Sequence, residues 1–345
     1  MNPPERAPGS LAELPPRRLG SVPVAPIGLG CMNLSHVYHP LPSRAEAERL
    51  LLGARDLGIT HFDTAALYGF GANERLIGEV LATRRDQVVL ASKCGMVGVD
   101  GVRVIDGRPE ALRATCEQAL TNLRTDVIDL YYLHRLDPAV PVEESVGALA
   151  GLVAEGKIRA IGLSEISATT LRRAHATHPI AAVQNEYSLW SRNPELGVLA
   201  VCRELGITLV AFSPLARGFL TDLPPHLEEL PAADLRHAMP RFQGEAYAAN
   251  LTLRDGIAAL ARQAGCTTAQ LALAWLLAQG EDIVPIPGTR SLGHLTEDVG
   301  AAYLTIPEEI LTAAGDLLNH RTVHGRRYGP AAAGDVDTEA FPDAG

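Results

Sequence analysis

The 345-residue sequence predicts an α/β fold, a parallel (β/α)8 barrel in a single domain, from three observations. Apolar runs of strand length alternate with stretches of helical period about eight times, the number that closes a barrel in roughly 250 residues. A hydrophobic content of 47% can bury a large core. The competing open, doubly wound sheet lacks its dinucleotide fingerprint: Gly28-Leu29-Gly30 runs into Cys31, Met32 and Asn33, and Gly69-Phe70-Gly71 into Ala72, Asn73 and Glu74, with no third glycine.

Taken in order, the chain opens on a Pro-rich leader, residues 1–18, followed by the barrel over 19–319 and a mobile tail over 320–345. Residues 19–32 predict a short hairpin and then a first buried strand over 26–31. Ser43 is a natural N-cap for a helix over 43–57, which Gly58 stops before the strand 59–63. The same alternation predicts helix 73–82, strand 88–93, helix 108–123, strand 127–134, helix 142–156, strand 158–164, helix 168–178 and strand 180–184. Helix 194–205, strand 208–213 and strand 283–288 with the helix after it complete the series. Residues 215–250 are too long for an ordinary strand-to-helix connection and predict a lid or cofactor-covering loop.

Charge and cysteine content exclude several classes. Forty acidic residues against 30 basic ones give a net charge of −10 with no Lys/Arg block, which argues against a nucleic-acid or anionic-membrane binder. The 5 cysteines are odd in number, scattered and never in a C-x-x-C pair, so neither a disulfide framework nor a zinc site is expected, and a reducing cytoplasm fits. The first ten residues contain no apolar run and no later stretch would span a bilayer, so neither a secretory signal nor a membrane anchor is expected.

Barrel active sites sit at the carboxyl ends of the strands, so the chemistry is read there. The second strand delivers Asp63 with Tyr68 on the connection after it, the third Lys93, and the fourth His134. The fifth and sixth deliver Ser164 and Gln184, the seventh Ser213, and the eighth the turn Gly288-Thr289-Arg290. A phenol is a poor acid at neutral pH, but a neighbouring ammonium stabilises its phenolate. Lys93 would be that cation, Asp63 the counter-ion that keeps it charged, and a neutral His134 would donate a hydrogen bond to a substrate carbonyl.

In these residues the chain resembles the aldo-keto reductase superfamily. The likeness runs over residues 19–318: DTAALYG with Asp63 and Tyr68, ASKCG with Lys93, LYYLHRLD with His134, GLSE at 162–165, QNEYSLW at 184–190, AFSPLARGFL at 211–220 and PIPGTR at 285–290. It is similar to the bacterial, pyridoxal-reductase-like branches that carry a PRFQGE-type loop, here at 240–245. The resemblance implies a barrel that reduces a small-molecule aldehyde or ketone with NADPH, Tyr68 being the general acid, Lys93 and Asp63 tuning it, and His134 standing in the substrate site. An alternative within that resemblance is a nucleotide-binding, redox-sensing subunit with slow turnover. Lys93 as a Schiff-base nucleophile is a third reading.

The implied cofactor site draws on every later strand end. Ser164 and Gln184 would bond the nicotinamide amide and Phe212 would stack on its ring. Ser213, Leu215 and Gly218 lie in a turn, with Pro214 and Arg217 as further cofactor-binding residues, and would offer their N–H groups to the pyrophosphate, while Pro287, Gly288, Thr289 and Arg290 lead into the N-terminus of the last helix. Gly30, Cys31 and Met32 complete the wall beside Asp63. His294, Glu297 and Asp298 stand where relatives hold an adenosine 2′-phosphate, and two acids beside the one certain cation, Arg290, leave NADH possible. Glu165 stands where many relatives have Asn. Tyr187, Trp190 and Phe242 are expected in the substrate pocket, and no metal is expected.

Overall fold

Residues 9–342 are described by the computed structural model of the chain. The hairpin is β1 (Arg17–Leu19) against β2 (Val22–Val24), so its first strand starts inside the expected leader. Residues 1–8 of that leader lie outside the described residues. The barrel series begins with β3 (Leu29–Gly30) and α1 (Arg44–Asp56). Ser43 starts α1 as a capping box: its Oγ accepts from Glu46 N at 3.3 Å and its own N–H donates to Glu46 Oε2 at 2.8 Å. Gly58 then turns the chain with φ +85, and a side chain there would strike the backbone of Leu11.

Next come β4 (His61–Asp63), α2 (Ala72–Leu81), β5 (Val89–Cys94) and an exposed hairpin of β6 (Met96–Val99) with β7 (Val102–Ile105). The sequence did not announce that hairpin, because its alternating valines face solvent on a two-stranded ribbon. There follow α3 (Pro109–Leu123), β8 (Leu130–Leu133), α4 (Val142–Ala154), β9 (Ile161–Ser164), α5 (Ala168–Thr177), β10 (Ile180–Glu186), α6 (Val198–Leu205) and β11 (Thr208–Phe212). The expected helix 194–205 is cut at Gly197, so only its second part is α-helical. After β11 the long connection ends at α7 (Gly244–Gln263), earlier than the expected 250. Then come α8 (Thr268–Ala278), β12 (Ile283–Ile286), α9 (Leu292–Gly300), α10 (Glu308–Leu317) and the short α11 (Pro330–Ala333).

The strands pair in parallel in the order β3-β4-β5-β8-β9-β10-β11-β12. Two backbone bonds close the ring: Gly28 N to Pro285 O and Gly30 N to Pro287 O, both 3.0 Å. Closure needs glycine at these positions, since a Cβ on Gly30 would sit 2.8 Å from Ile286 O. Period-2 alternation sends Phe62, Leu90, Tyr131 and Leu133 outward into the helices and Ala91, Leu130 and Tyr132 inward. Each fully buried side chain of this size contributes about 1.5–3 kcal/mol. Leu19 and Val24 join the inner cluster, so the β1–β2 hairpin plugs the end of the barrel away from the site.

The expected mobile tail is a correction: residues 320–342 fold back onto the strand ends. Arg327 pairs with buried Glu165 at 2.6 Å, Asp337 N donates to Glu165 O at 2.9 Å, and Ala168 N donates to Glu339 Oε1 at 2.7 Å. The partners are more than a hundred residues away in sequence, so local composition carried no sign of them. No helix among the described residues is long and apolar enough to cross a membrane.

Candidate active site

The β4–α2 connection is held by the protein's own hydrogen bonds. Asn73 donates to Cys31 O at 2.8 Å and Ser35 Oγ at 3.0 Å and accepts from Thr64 Oγ1 at 2.6 Å, tying the connection to the end of β3. Gly69, Phe70 and Gly71 are all left-handed (φ 56, 52 and 82), which tightens the turn that carries Tyr68. Lys93 comes from β5 with its side chain wholly buried; its Nζ donates to Asp63 Oδ1, to Thr64 O at 2.8 Å and to Tyr68 Oη at 3.4 Å. The Tyr68 ring lies edge-on to His134 at 5.9 Å and stacks with His36 at 5.9 Å. The four expected catalytic residues therefore meet at one point.

The electrostatics follow from burial. Burial raises the Tyr68 pKa, and Lys93 only partly offsets it, so the phenol remains protonated at neutral pH as an acid must be. Burial opposes the Lys93 charge, but Asp63 and then Tyr68 outweigh it and raise its pKa. Gln184 Nε2 donates to Asp63 Oδ2 at 2.7 Å and so anchors the counter-ion. His134 is driven well down by burial, then by Arg135 and Lys93, so it is a neutral donor or acceptor.

His61, fully buried inside the barrel, is also lowered by burial. In the unfolded chain both histidines take a proton near pH 6.5, whereas in the folded chain they resist it. The unfolded state then binds more protons, so stability is full above about pH 6.5 and falls as the pH drops below it. Urea unfolding at pH 7.5 and 5.5 should show that fall, and His61→Leu should shrink it.

Above the tetrad lies a cavity of about 1120 Å³. All the expected cofactor residues line it, from Gly30, Cys31 and Met32 through Ser164, Gln184, Phe212, Ser213, Pro214, Leu215, Arg217 and Gly218 to Pro287, Gly288, Thr289, Arg290, His294, Glu297 and Asp298. Gly288 leaves room that a side chain would fill, its Cβ meeting Asn33 Oδ1 at 2.8 Å and Gly30 O at 3.0 Å. Ala216, Arg217 and Gly218 are successive left-handed residues, and the Ala216 N–H is bonded within the turn to Ser213 O at 2.9 Å. Three details change the expected roles. The Gly218 N–H is spent on Leu215 O at 3.0 Å. The Arg217 side chain is committed to a buried ion pair with Glu186 at 3.1 Å rather than to the cavity. Glu165 does not line the cavity, because Arg327 holds it.

The count of charges around Arg290 also changes. Burial, then Glu297, drives the Asp298 carboxyl well up from its ordinary range, which weakens its opposition to an anion. Arg236, in the connection before α7, lines the same cavity; after burial itself, Arg236 is the largest influence lowering Arg290. Arg236 was not expected from the sequence; its only local sign is the Asp234-x-Arg236 pair at 2.8 Å. These donors fit a dinucleotide carrying an extra phosphate.

Tyr187, Trp190 and Phe242 are a correction: none lines the cavity. Trp190 packs on Phe219 at 3.9 Å and Phe242 at 5.6 Å between rings, and Tyr187 against Trp275 at 5.7 Å, so all three belong to the core beneath the loops. The acceptor end is lined instead by Met32, His36, Leu67, Met96 and Arg135, with Tyr328 and Val336 of the C-terminal segment.

The model of the aldo/keto reductase family matches residues 26–315. Probable aldo-keto reductase 1 of Glycine max is 43% identical over 322 residues, 92% of each chain. Aldo-keto reductase yakc of Schizosaccharomyces pombe, whose name carries the designation NADP(+), is 40% identical over 338 residues, 95% of this chain and 99% of its own. Among solved structures, the glycerol dehydrogenase AKR11B4 from Gluconobacter oxydans matches with a TM-score of 0.80 at 27% identity, covering 94% of this chain and 97% of its own.

Proposed function

The chain belongs to the aldo/keto reductase family, oxidoreductases acting on carbonyls, and on that premise we propose that it reduces an aldehyde or ketone to the alcohol with NADPH, Tyr68 being the general acid. The observation that carries the reading is the buried Asp63–Lys93–Tyr68 relay at the foot of the cavity with neutral His134 beside it. A bound nicotinamide dinucleotide supplies the hydride. Tyr68 Oη holds the proton the nascent alkoxide needs, Lys93 stabilises the phenolate left behind, and Asp63 keeps Lys93 charged. His134 orients the carbonyl oxygen. The walls given by Met32, Leu67 and Met96 exclude water from the reacting carbon.

The test is direct: the purified protein is expected to oxidise NADPH with a panel of aromatic and aliphatic aldehydes. Tight nucleotide retention without turnover would sink the reading and favour a redox-sensing subunit. Preference for NADPH over NADH is supported by Arg290 with Arg236 nearby, by the upward shift of the buried Asp298 carboxyl, and by the NADP(+) designation of the yeast relative. Arg290→Ala should weaken NADPH by about 10-fold or more, the worth of a charge-assisted bond. NADH affinity should barely move. Fluorescence quenching by the two nucleotides checks this, and tighter binding of NADH by the unaltered protein would overturn the preference.

A further inference from the structure

The arginines on the cavity wall among the described residues are Arg103, Arg135, Arg217, Arg236 and Arg290. Three have carboxylates: Arg103 pairs with Asp335, Arg217 with Glu186 at 3.1 Å and Arg236 with Asp234 at 2.8 Å. Arg290 bonds Pro40 O and stands in the turn after β12, where the proposed cofactor phosphate belongs. That leaves Arg135, whose Nη1 donates to His134 O at 2.6 Å and to Ser164 Oγ at 3.3 Å. Both acceptors are neutral, and a guanidinium has five N–H donors in a planar fork.

The acceptor end is otherwise balanced. Asp63 is neutralised by Lys93 and Asp335 by Arg103, and His134 is uncharged, so among the described residues at this end of the cavity Arg135 is the cation without a carboxylate partner. Arg135 follows β8, four strands round the ring from β12, so it faces the proposed phosphate turn from the opposite side of the barrel mouth. A half-buried guanidinium beside the reacting residues, without a carboxylate, is free to receive an anion.

We propose that Arg135 recognises an anionic group, a carboxylate or a phosphate ester, on the carbonyl substrate, so that the preferred substrates are anionic aldehydes or ketones. This rests on the reductase reading and narrows its substrate class. The fork would take two anion oxygens through the N–H groups not used on His134 and Ser164. Its charge also lowers the Tyr68 and His134 pKa values, consistent with its closeness to both.

The experiment compares the three positional isomers of carboxybenzaldehyde with their methyl esters, and the formylphenyl phosphates with the neutral hydroxybenzaldehydes. The readout is the ratio of kcat/KM, anionic over neutral. For at least one isomer the ratio should reach about 10 or more. Arg135→Gln should bring it to about one, and Arg135→Lys should restore part of it. Which series shows the effect distinguishes a carboxylate from a phosphate. Neutral aldehydes reduced as fast as anionic ones would overturn the proposal while the reductase reading stands; no turnover of any aldehyde would take both. A preference that survives Arg135→Gln also overturns it. So does an equal loss for both members of a pair with weakened NADPH quenching, which would assign Arg135 to the cofactor.

Discussion

Tyr68→Phe is expected to lower kcat by about 10²–10⁴-fold, the range that a positioned general acid supplies, with nucleotide affinity retained. The substitution removes one oxygen and leaves the ring, so the stacking with His36 and the edge contact with His134 persist. What is lost is the hydroxyl that accepts from Lys93 Nζ at 3.4 Å. The ammonium keeps Asp63 and Thr64 O, so the fold should hold. Raised by burial, the phenol is fully protonated through the physiological range, so the unaltered enzyme's kcat should stay flat from pH 6 to 8 and fall only in alkali. Single-turnover NADPH oxidation with an aromatic aldehyde separates this from a binding defect. A variant with undiminished turnover would remove Tyr68 from the mechanism.

The sequence carried the barrel and the relay because both are written in short-range signals. Strand ends with period-2 neighbours place Asp63, Lys93 and Tyr132 on the inner face, and the left-handed Gly69 and Gly71 mark the turn that positions Tyr68. Tertiary partners were not legible. Trp190 and Phe242 lie in loop sequence, and only packing on Phe219 shows them to be core. The Glu165–Arg327 pair joins residues 162 positions apart. Arg236 reaches the cavity because Leu235 N bonds Val37 O at 3.1 Å, drawing the long connection across to the β3–α1 loop. The upward shift of Asp298 was likewise hidden, since the burial that causes most of it is tertiary and the neighbouring acid that adds to it reads in sequence as additional charge.

Asp63→Asn is expected to destabilise the protein by about 3–5 kcal/mol, because it strands the ammonium of Lys93, 0% exposed, without its counter-ion. Burial alone would then lower the lysine pKa, the reverse of its present direction, and the uncharged amine could no longer stabilise a Tyr68 phenolate. Activity should therefore fall with stability. Lys93→Met made alone strands the carboxylate, which among the described residues keeps the Gln184 bond at 2.7 Å but no cation. The two changes together leave no buried charge, so the double variant should regain stability over either single one while remaining inactive, a non-additivity measured by a double-mutant cycle. The pH dependence carries the same sign. In the unaltered protein the folded Lys93 pKa lies above the unfolded value near 10.5, so the pair's contribution is complete below that pH and is lost as the pH rises through the folded value. Asp63→Asn should abolish that alkaline loss, and denaturant unfolding from pH 8 to 11 measures it. Stability of the double variant equal to the sum of the single losses would mean that the pair acts through something other than its charge.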